Sequence, residues 1–477
     1  MKKSLRNICF ISASLFFGNL LNAQIAGSLD LSFDPGAGVN SILSEVNESV
    51  QLPDGKILFV GYFSSFGGNT DMNRIAKLNS DGTPATGFIS GVSAPSLPSS
   101  SFRLYCLALQ NDGKILVGGR FTEYDGYVRN CITRINQDGS IDPTFDPGSG
   151  SGSWDILDIQ IQPDGKILVA GEFLTFNGYN YSGLVRLNPD GTMDNTFVPN
   201  TGIYNFNINS ISLQSDGKII AGGPFAYIGT TNVRIVRFNT DGSIDPTFNP
   251  NENSSATNIN RVLVQPDGKI LIAGAFSSLN GDQNIINITR VDSTGVVDAT
   301  FNPGANPGGM IFDIHLDANG KIVVVGSFTT WNNSPANRIV RLNASGSFDS
   351  SFNSGDGANS TIDCVTNQVD GKYLIGGTYS QYNSISRNGY ARLNGNGTND
   401  IIDNQITHFI AYPNPFNESI EIESGSLIQE ILVYDITGKT VFNKSVNVPD
   451  LKINTTKWQS GVYFIKIDGQ TVKIIKE

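Results

Sequence analysis

Hydrophobic residues along most of this chain fall in short runs bracketed by turn residues, and the runs recur. The core of the unit is Asp-Gly-Lys, an apolar run, then Gly-x-Phe. Asp54-Gly55-Lys56 leads to Gly61-Tyr62-Phe63, and the pattern returns at Lys114, Lys166, Lys218, Lys269, Lys321 and Lys372. The Lys-to-Lys spacings are 58, 52, 52, 51, 52 and 51 residues. Each unit closes on a Phe, as in Ser140-Ile141-Asp142-Pro143-Thr144-Phe145. The closers are Phe33, Phe88, Phe145, Phe197, Phe248, Phe301 and Phe352, so they run one step ahead of the cores. Tandem units of this length, made of short strands, predict the blades of a propeller. The offset predicts that the front of the chain completes the last blade.

Residues 154–197 illustrate one unit. Ile156 to Ile161 reads as a first strand, Lys166 to Phe173 as a second, Leu184 to Asn188 as a third and Thr192 to Phe197 as a fourth. Short runs separated by turn signals predict an antiparallel four-stranded sheet. Pro53, Pro163, Pro189 and Pro266 immediately precede the turn Asp. Proline fixes φ near −65°, which suits the first central position of a type I turn, so the Gly is expected as a left-handed bulge. That register sets Arg134 opposite Asp142, with Arg186/Asp194, Arg237/Asp245, Arg290/Asp298 and Arg341/Asp349 as equivalents. In the first unit Lys77 and Ala85 replace both partners together, which points to a cross-strand ion pair. Gly61 and its six equivalents sit inside the second strand, where glycine signals close backbone approach. The Phe two residues later is expected between blades.

The last unit ends without a closing Phe, whereas Gly27-Ser28-Leu29-Asp30-Leu31-Ser32-Phe33 matches the missing strand. Pairing the two removes two raw sheet edges. Asp30 and Asp400 compete for Arg392. These repeats resemble the delta-60 repeat family of β-propeller modules in bacterial secreted proteins. The resemblance covers roughly residues 27–400 and implies a fold and a secreted habitat, but no reaction.

Residues 409–477 abandon the period. They carry Tyr412-Pro413-Asn414-Pro415-Phe416, then Val433-Tyr434-Asp435-Ile436-Thr437-Gly438-Lys439, then Trp458-Gln459-Ser460-Gly461-Val462-Tyr463-Phe464. Alternating runs with Gly turns predict a small β-sandwich. These blocks are similar to the C-terminal sorting domain of the type IX secretion system of Bacteroidetes-type bacteria. That resemblance implies export to the medium or the outer cell surface of a Gram-negative bacterium, with the secretion machinery as partner.

At the front, Lys2, Lys3 and Arg6 precede an apolar run from Ile8 to Phe17, which reads as a secretory signal cut after Ala23. No later stretch is long and apolar enough for a membrane-spanning helix. The expected organisation is therefore a signal peptide over 1–23, a seven-bladed propeller over 24–403, a linker over 404–408 and the sorting domain over 409–477. The fold class is all-β. A net charge of −11 argues against nucleic acid and anionic lipid as partners. Cys106, Cys131 and Cys364 remain after the signal, an odd and sparse set that forms no disulfide framework.

Most catalytic signatures are absent: there is no HExxH, paired Cys-x-x-Cys, Walker loop or Gly-x-Ser-x-Gly elbow. No cofactor or metal is implied. Two regions could carry function. Eight residues before each Lys stand Glu48, Cys106, Asp158, Ser210, Arg261, Asp313 and Cys364, on the strand that lines a propeller's channel. With His315, the carboxylates Glu48, Asp158 and Asp313 are expected to face the lumen, where they could hold a cation or act as acid and base. The second region is the blade face opposite the Asp-Gly turns, where the repeat breaks down. Phe102, Trp154 and Phe206 occupy one repeat position in three consecutive units, and Tyr124, Tyr127, Tyr179, Tyr181 and Tyr227 lie in the adjoining connections. Aromatics gathered on one sector of a variable face suit sugar or peptide contacts. The reading is a secreted, non-enzymatic propeller that binds a glycan or protein. The alternatives are a hydrolase or lyase using the channel carboxylates, and a purely structural surface protein.

Overall fold

The computed structural model describes residues 25–395 and 410–476, apart from 41–43, 96, 99–100, 153, 182, 200–202, 205–206, 228–233, 249–257, 280–284, 305–306, 413–415, 436–438 and 468–469. The expected signal segment (1–23), the expected linker (404–408), Phe206 and Asp400 lie outside the described residues. The chain divides into two compact units, residues 1–397 and 398–477. Among the described residues the regular elements are all strands, and no helix is long and apolar enough to cross a membrane.

The first unit is a ring of seven blades. Blade 1 is Glu45–Gln51, Ile57–Tyr62 and Ile75–Leu78, and blade 2 is Arg103–Leu109, Ile115–Arg120 and Ile132–Ile135. Blade 3 is Ile156–Ile161, Ile167–Gly171 and Leu184–Leu187; blade 4 is Ser210–Leu213, Ile219–Gly222 and Ile235–Phe238. Blade 5 is Asn258–Val264, Ile270–Ala275 and Ile288–Val291; blade 6 is Ile311–Leu316, Ile322–Gly326 and Ile339–Leu342; blade 7 is Ile362–Asn367, Tyr373–Gly377 and Tyr390–Leu393. Each is an antiparallel three-stranded sheet. The innermost strands of blades 1 and 7 lie against each other, which closes the ring.

The turns form as their residues dictate. Gly55 N–H donates to Leu52 O at 2.9 Å and Leu52 N–H to Lys56 O at 2.7 Å, around Pro53-Asp54 and a left-handed Gly55 with φ of 79°. This is a type I turn with a glycine bulge. Inside the second strand, a Cβ on Gly171 would collide with the Asp155 carbonyl, so glycine is required there. The closing Phe and the second-strand Phe fill the space between blades: Phe145 packs with Phe173, Ile167 and Ile156 of the following blade.

The expected fourth strand is a single bridge rather than a strand, as in Ile135 with Ile141 and Leu187 with Met193. The cause is local. Asp142 N–H still donates to Arg134 O at 2.8 Å, but the Asp142 carboxylate then accepts from the N–H and hydroxyl of Thr144. That side-chain turn bends the backbone away and drives Phe145 inward.

Ring closure uses the front of the chain. Asp30 N–H donates to Arg392 O at 2.8 Å and Gly27 N–H to Asn394 O at 2.7 Å, with Leu29 bridged to Leu393. Asp30 is thus the partner of Arg392, with its Oδ2 at 2.7 Å from Nε.

The second unit is one five-stranded sheet built on a long hairpin, Ser419–Asp435 with Thr440–Asn454. Register shifts between Glu423 and Ile428 and again to Glu430 interrupt the ladder. Residues on both sides of them, Ile420 and Ile422 with Ile431 and Val433, share one core with Phe416 and Ile465.

Candidate functional site

The channel positions are built by a bulge. In six blades the ladder between the first and second strands slips just before the position eight residues ahead of the Lys, as between Val46 and Glu48 or Ile156 and Asp158. A bulge re-aims the side chain that follows it. Here that side chain is turned sideways onto the edge of the next blade's innermost strand. Glu48 accepts from Leu107 N–H at 2.8 Å, Asp158 from Ile211 N–H at 2.8 Å, Ser210 from Val262 N–H at 3.2 Å and Asp313 from Val365 N–H at 3.0 Å. Cys106 and Cys364 point their thiols at Ile156 O and Val46 O across the same junctions. Arg261 completes the set, 3.1 Å from Asp313 and 3.9 Å from Asp158.

Besides converging through Arg261, Glu48, Asp158, Ser210 and Asp313 satisfy edge N–H groups that an innermost strand would otherwise leave unpaired. Burial pushes the Glu48 carboxyl up to about 8, with Arg261 opposing and Asp158 and Asp313 reinforcing, so it is protonated at neutral pH. Burial likewise raises Asp158, against the pull of Arg261. Against its own desolvation, Arg261 is held more firmly protonated by Asp313, Asp158 and Glu48. His315 lies at the turn end of the channel, lining a cavity of about 570 Å³ with Leu213, Gln265 and Leu316, and burial lowers its pKa. Among the described residues no group of three or more His, Cys, Asp or Glu is placed to hold a metal ion.

The opposite end of the blades is different in kind. Of the expected aromatic patch, Trp154 is 48% exposed and Tyr179 66% exposed. Phe102 is only 9% exposed and lies under the Arg74 guanidinium, 4.7 Å from the ring centre, so it is packing rather than rim. Tyr124 is also buried, because its hydroxyl reaches inward to Gly139 O at 2.7 Å. Tyr181 is half-buried against the core between blades 2 and 3. Tyr127, also of the expected patch, is exposed with Val128 at the tip of the small hairpin Glu123–Tyr124/Tyr127–Val128, where Tyr127 is equivalent to Tyr179 on blade 3.

Beside these lies a polar and aromatic sector that sequence reasoning missed. Arg103 pairs with Glu45 at 2.9 Å and sits over the rings of Tyr62 and Tyr105, 5.1 and 5.9 Å from their centres. Arg120 pairs with Asp155, the neighbour of Trp154, and Glu172 accepts from the Asn207 amide at 3.0 Å. Burial raises the Tyr105 and Glu172 pKa values, and Asp155 raises both further. Tyr62, Arg103, Tyr105, Arg120 and Glu172 are each half-buried. The equivalents of Tyr62, Arg120 and Glu172 on blades 5–7 are Ala275, Ser327 and Thr378. The signal was present as departures from the repeat at the end of the second strand.

Two family models match the chain. A model described as a domain of unknown function (DUF5122) beta-propeller matches residues 52–88, 110–145, 162–197, 214–248, 265–301, 318–352 and 368–400. A secretion system C-terminal sorting domain matches residues 410–477. No curated protein matches. Among solved structures, similarity extends to PorZ, a surface component of the type IX secretion system of Porphyromonas gingivalis, at 12% identity over 89% of this chain and 68% of that one, with a TM-score of 0.33. It extends to the extracellular domain of a hybrid two-component system from B. thetaiotaomicron, at 12% identity over 91% and 69%, TM-score 0.40. It also reaches a gluconolactonase from Xanthomonas campestris, at 12% identity over 78% and 99%, TM-score 0.36.

Proposed function

The chain belongs to the DUF5122 beta-propeller family and ends in a type IX sorting domain, and from that premise we propose that it is a non-enzymatic extracellular binding protein whose ligand is a glycan or protein. The sorting domain marks it for type IX export to the medium or the cell surface. The observation that carries the binding reading is the asymmetry of one blade face. Blades 1–3 present Tyr62, Arg120 and Glu172 at the end of the second strand, beside Arg103, Tyr105 and exposed Trp154 and Tyr179, whereas that second-strand position in blades 5–7 holds Ala275, Ser327 and Thr378. Aromatic faces supply large contact area at low conformational cost, and planar Arg and carboxylate groups hydrogen-bond in pairs to vicinal hydroxyls. That combination favours a carbohydrate over an apolar peptide. A glycan-array screen of the purified protein tests the reading: saturable binding to a restricted set of sugars supports it, and no binding to sugars or to a displayed-peptide library opposes it.

A second reading, hydrolase or lyase chemistry in the channel, draws on the raised pKa of Glu48 beside Asp158 and Asp313. The same three carboxyls each hold a neighbouring blade's backbone N–H, which favours a role in holding the ring together.

A further inference from the structure

Six of the seven blades carry the same three-residue ionic cluster at their outer edge. In blades 2–7 the core Lys and the third-strand Arg both reach one Asp Oδ2, at 2.6–2.9 Å. The Arg stands over the closing Phe, 4.7–5.1 Å from the ring centre. Its second nitrogen donates to a turn carbonyl of the next blade, as Arg134 does to Pro189 O at 2.6 Å.

Blade 1 keeps the cations and lacks the anion. Lys77 occupies the Arg position, is buried, and donates to Gln137 O at 2.7 Å, the equivalent next-blade carbonyl. Ala85 occupies the Asp position with unchanged backbone register, since Ala85 N–H donates to Lys77 O at 2.8 Å. The missing carboxylate coincides with a cavity of about 280 Å³ lined by Lys56, Lys77, Ala85, Gly87, Phe88 and Asp138, among others. Lys56 turns to its own hairpin, 2.6 Å from Asp54, in a pair exposed to solvent and so of low energy. Gly87 takes the place of the residue whose N–H donates to the Asp in the sibling blades, as Thr144 does to Asp142.

The nearby acids do not remove the imbalance. Asp138 is held by the N–H and hydroxyl of Ser140, just as Asp190 is held by Thr192 beside the cluster of blade 2. Asp54 recurs as Asp112, Asp164, Asp216, Asp267 and Asp370 in other blades. Relative to its siblings, blade 1 is short of one negative charge. Desolvation, with Lys56 adding to it and Asp54 and Asp138 opposing, lowers the Lys77 pKa.

We propose that the blade 1 cavity is a carboxylate-binding site, in which a carboxylate from outside the chain takes the place that Asp142 and its equivalents fill in the other six blades, with Lys56 and Lys77 on one oxygen and the Gly87 N–H facing the other. This site is independent of the aromatic sector and stands or falls separately from the proposed function.

The test is thermal melting of the purified protein in increasing sodium acetate, with ionic strength held constant by sodium chloride. A ligand that binds only the folded state raises the melting temperature in step with its occupancy. Wild type is expected to show a saturable rise. Ala85→Asp, which supplies the sibling residue, should melt higher without acetate and show no further rise. Lys77→Met should weaken the acetate response at least about tenfold, the scale of one lost charge-assisted hydrogen bond. No acetate response in wild type, or an equal response in Ala85→Asp, overturns the proposal.

Discussion

Arg392 and Asp30, 362 residues apart in sequence, meet at 2.7 Å through Nε and Oδ2, and this pair joins the two ends of the ring. Lys372 adds a second cation at 2.9 Å, and the Arg392 guanidinium lies over Phe33. Every other intact cluster is made within one blade. Only the last blade borrows its anion and its closing aromatic from the start of the chain, so cluster and closure are a single feature there.

Asp30→Asn should therefore destabilise the propeller more than a surface substitution. It leaves Arg392 and Lys372 facing a neutral group in a buried site, a loss on the order of 3–5 kcal/mol. Removing residues 25–36 should cost more, because Phe33 and the bridge to Leu393 leave with it. Chemical denaturation of both variants measures the loss, and a truncated protein as stable as the parent would refute closure by the N-terminal segment.

Stability should peak in mildly acidic solution. The folded Asp30 carboxyl is held down at about 2, chiefly by Ser32 and Lys372 against the cost of burial. Its contribution is complete above the unfolded value of 3.8 and fades as pH falls through about 2. Glu48 acts in the opposite sense. Its folded pKa of about 8 exceeds the ordinary 4.5, so a penalty accumulates as pH rises from 4.5 to 8. Asp363 adds to this, since burial raises it to about 7 against a hydrogen bond from Thr361. The melting temperature should be highest at roughly pH 4–5. Glu48→Gln keeps an acceptor for Leu107 N–H and should lose less stability than wild type between pH 5 and 8. Equal losses would show that Glu48 is not buried as a neutral acid.

Export should depend on the second unit and folding should not. A chain ended at Gly397 keeps the closing contacts of blade 7, because Asn394 and Arg392 remain. In the native host it should fold and stay inside the outer membrane. Its efficient appearance in the medium would contradict export through the sorting domain.

Phe102 and Trp154, which share a repeat position, should now separate. Phe102→Ala removes a buried ring stacked under Arg74 and should cost about 3–5 kcal/mol of stability. Trp154→Ala removes a side chain that is half in solvent and should leave the melting temperature nearly unchanged. A large drop for Trp154→Ala would make it a packing residue and remove it from the binding surface.

The contrast shows what the repeat made readable. The turn type followed from Pro53-Asp54-Gly55, and the Arg134/Asp142 pairing followed from the turn, because both depend on local register. Closure was readable from Phe33 lying one step ahead of its core. Three features were not. The outer strand shrinks to one bridge because Asp142 captures Thr144, a side-chain competition that alternation does not reveal. Glu48, Asp158 and Asp313 turn sideways because a bulge precedes them, and a period of two cannot register an extra residue. Phe102 and Tyr124 are buried by Arg74 and Gly139, neighbours that no repeat position specifies. The sector around Arg103 and Arg120 was visible only as departures from the repeat, and these were outweighed by the aromatic residues beside it.

A binding surface on blades 1–3 is tested by the affinity of the best array-identified glycan for wild type, Trp154→Ala and Met310→Ala, each checked for an unchanged melting temperature. Trp154 stands on the blade 3 rim, whereas Met310 is exposed at the same end of blade 6. Binding should weaken by about 1–3 kcal/mol in Trp154→Ala and stay unchanged in Met310→Ala. Equal affinity for all three proteins would contradict a binding surface on blades 1–3.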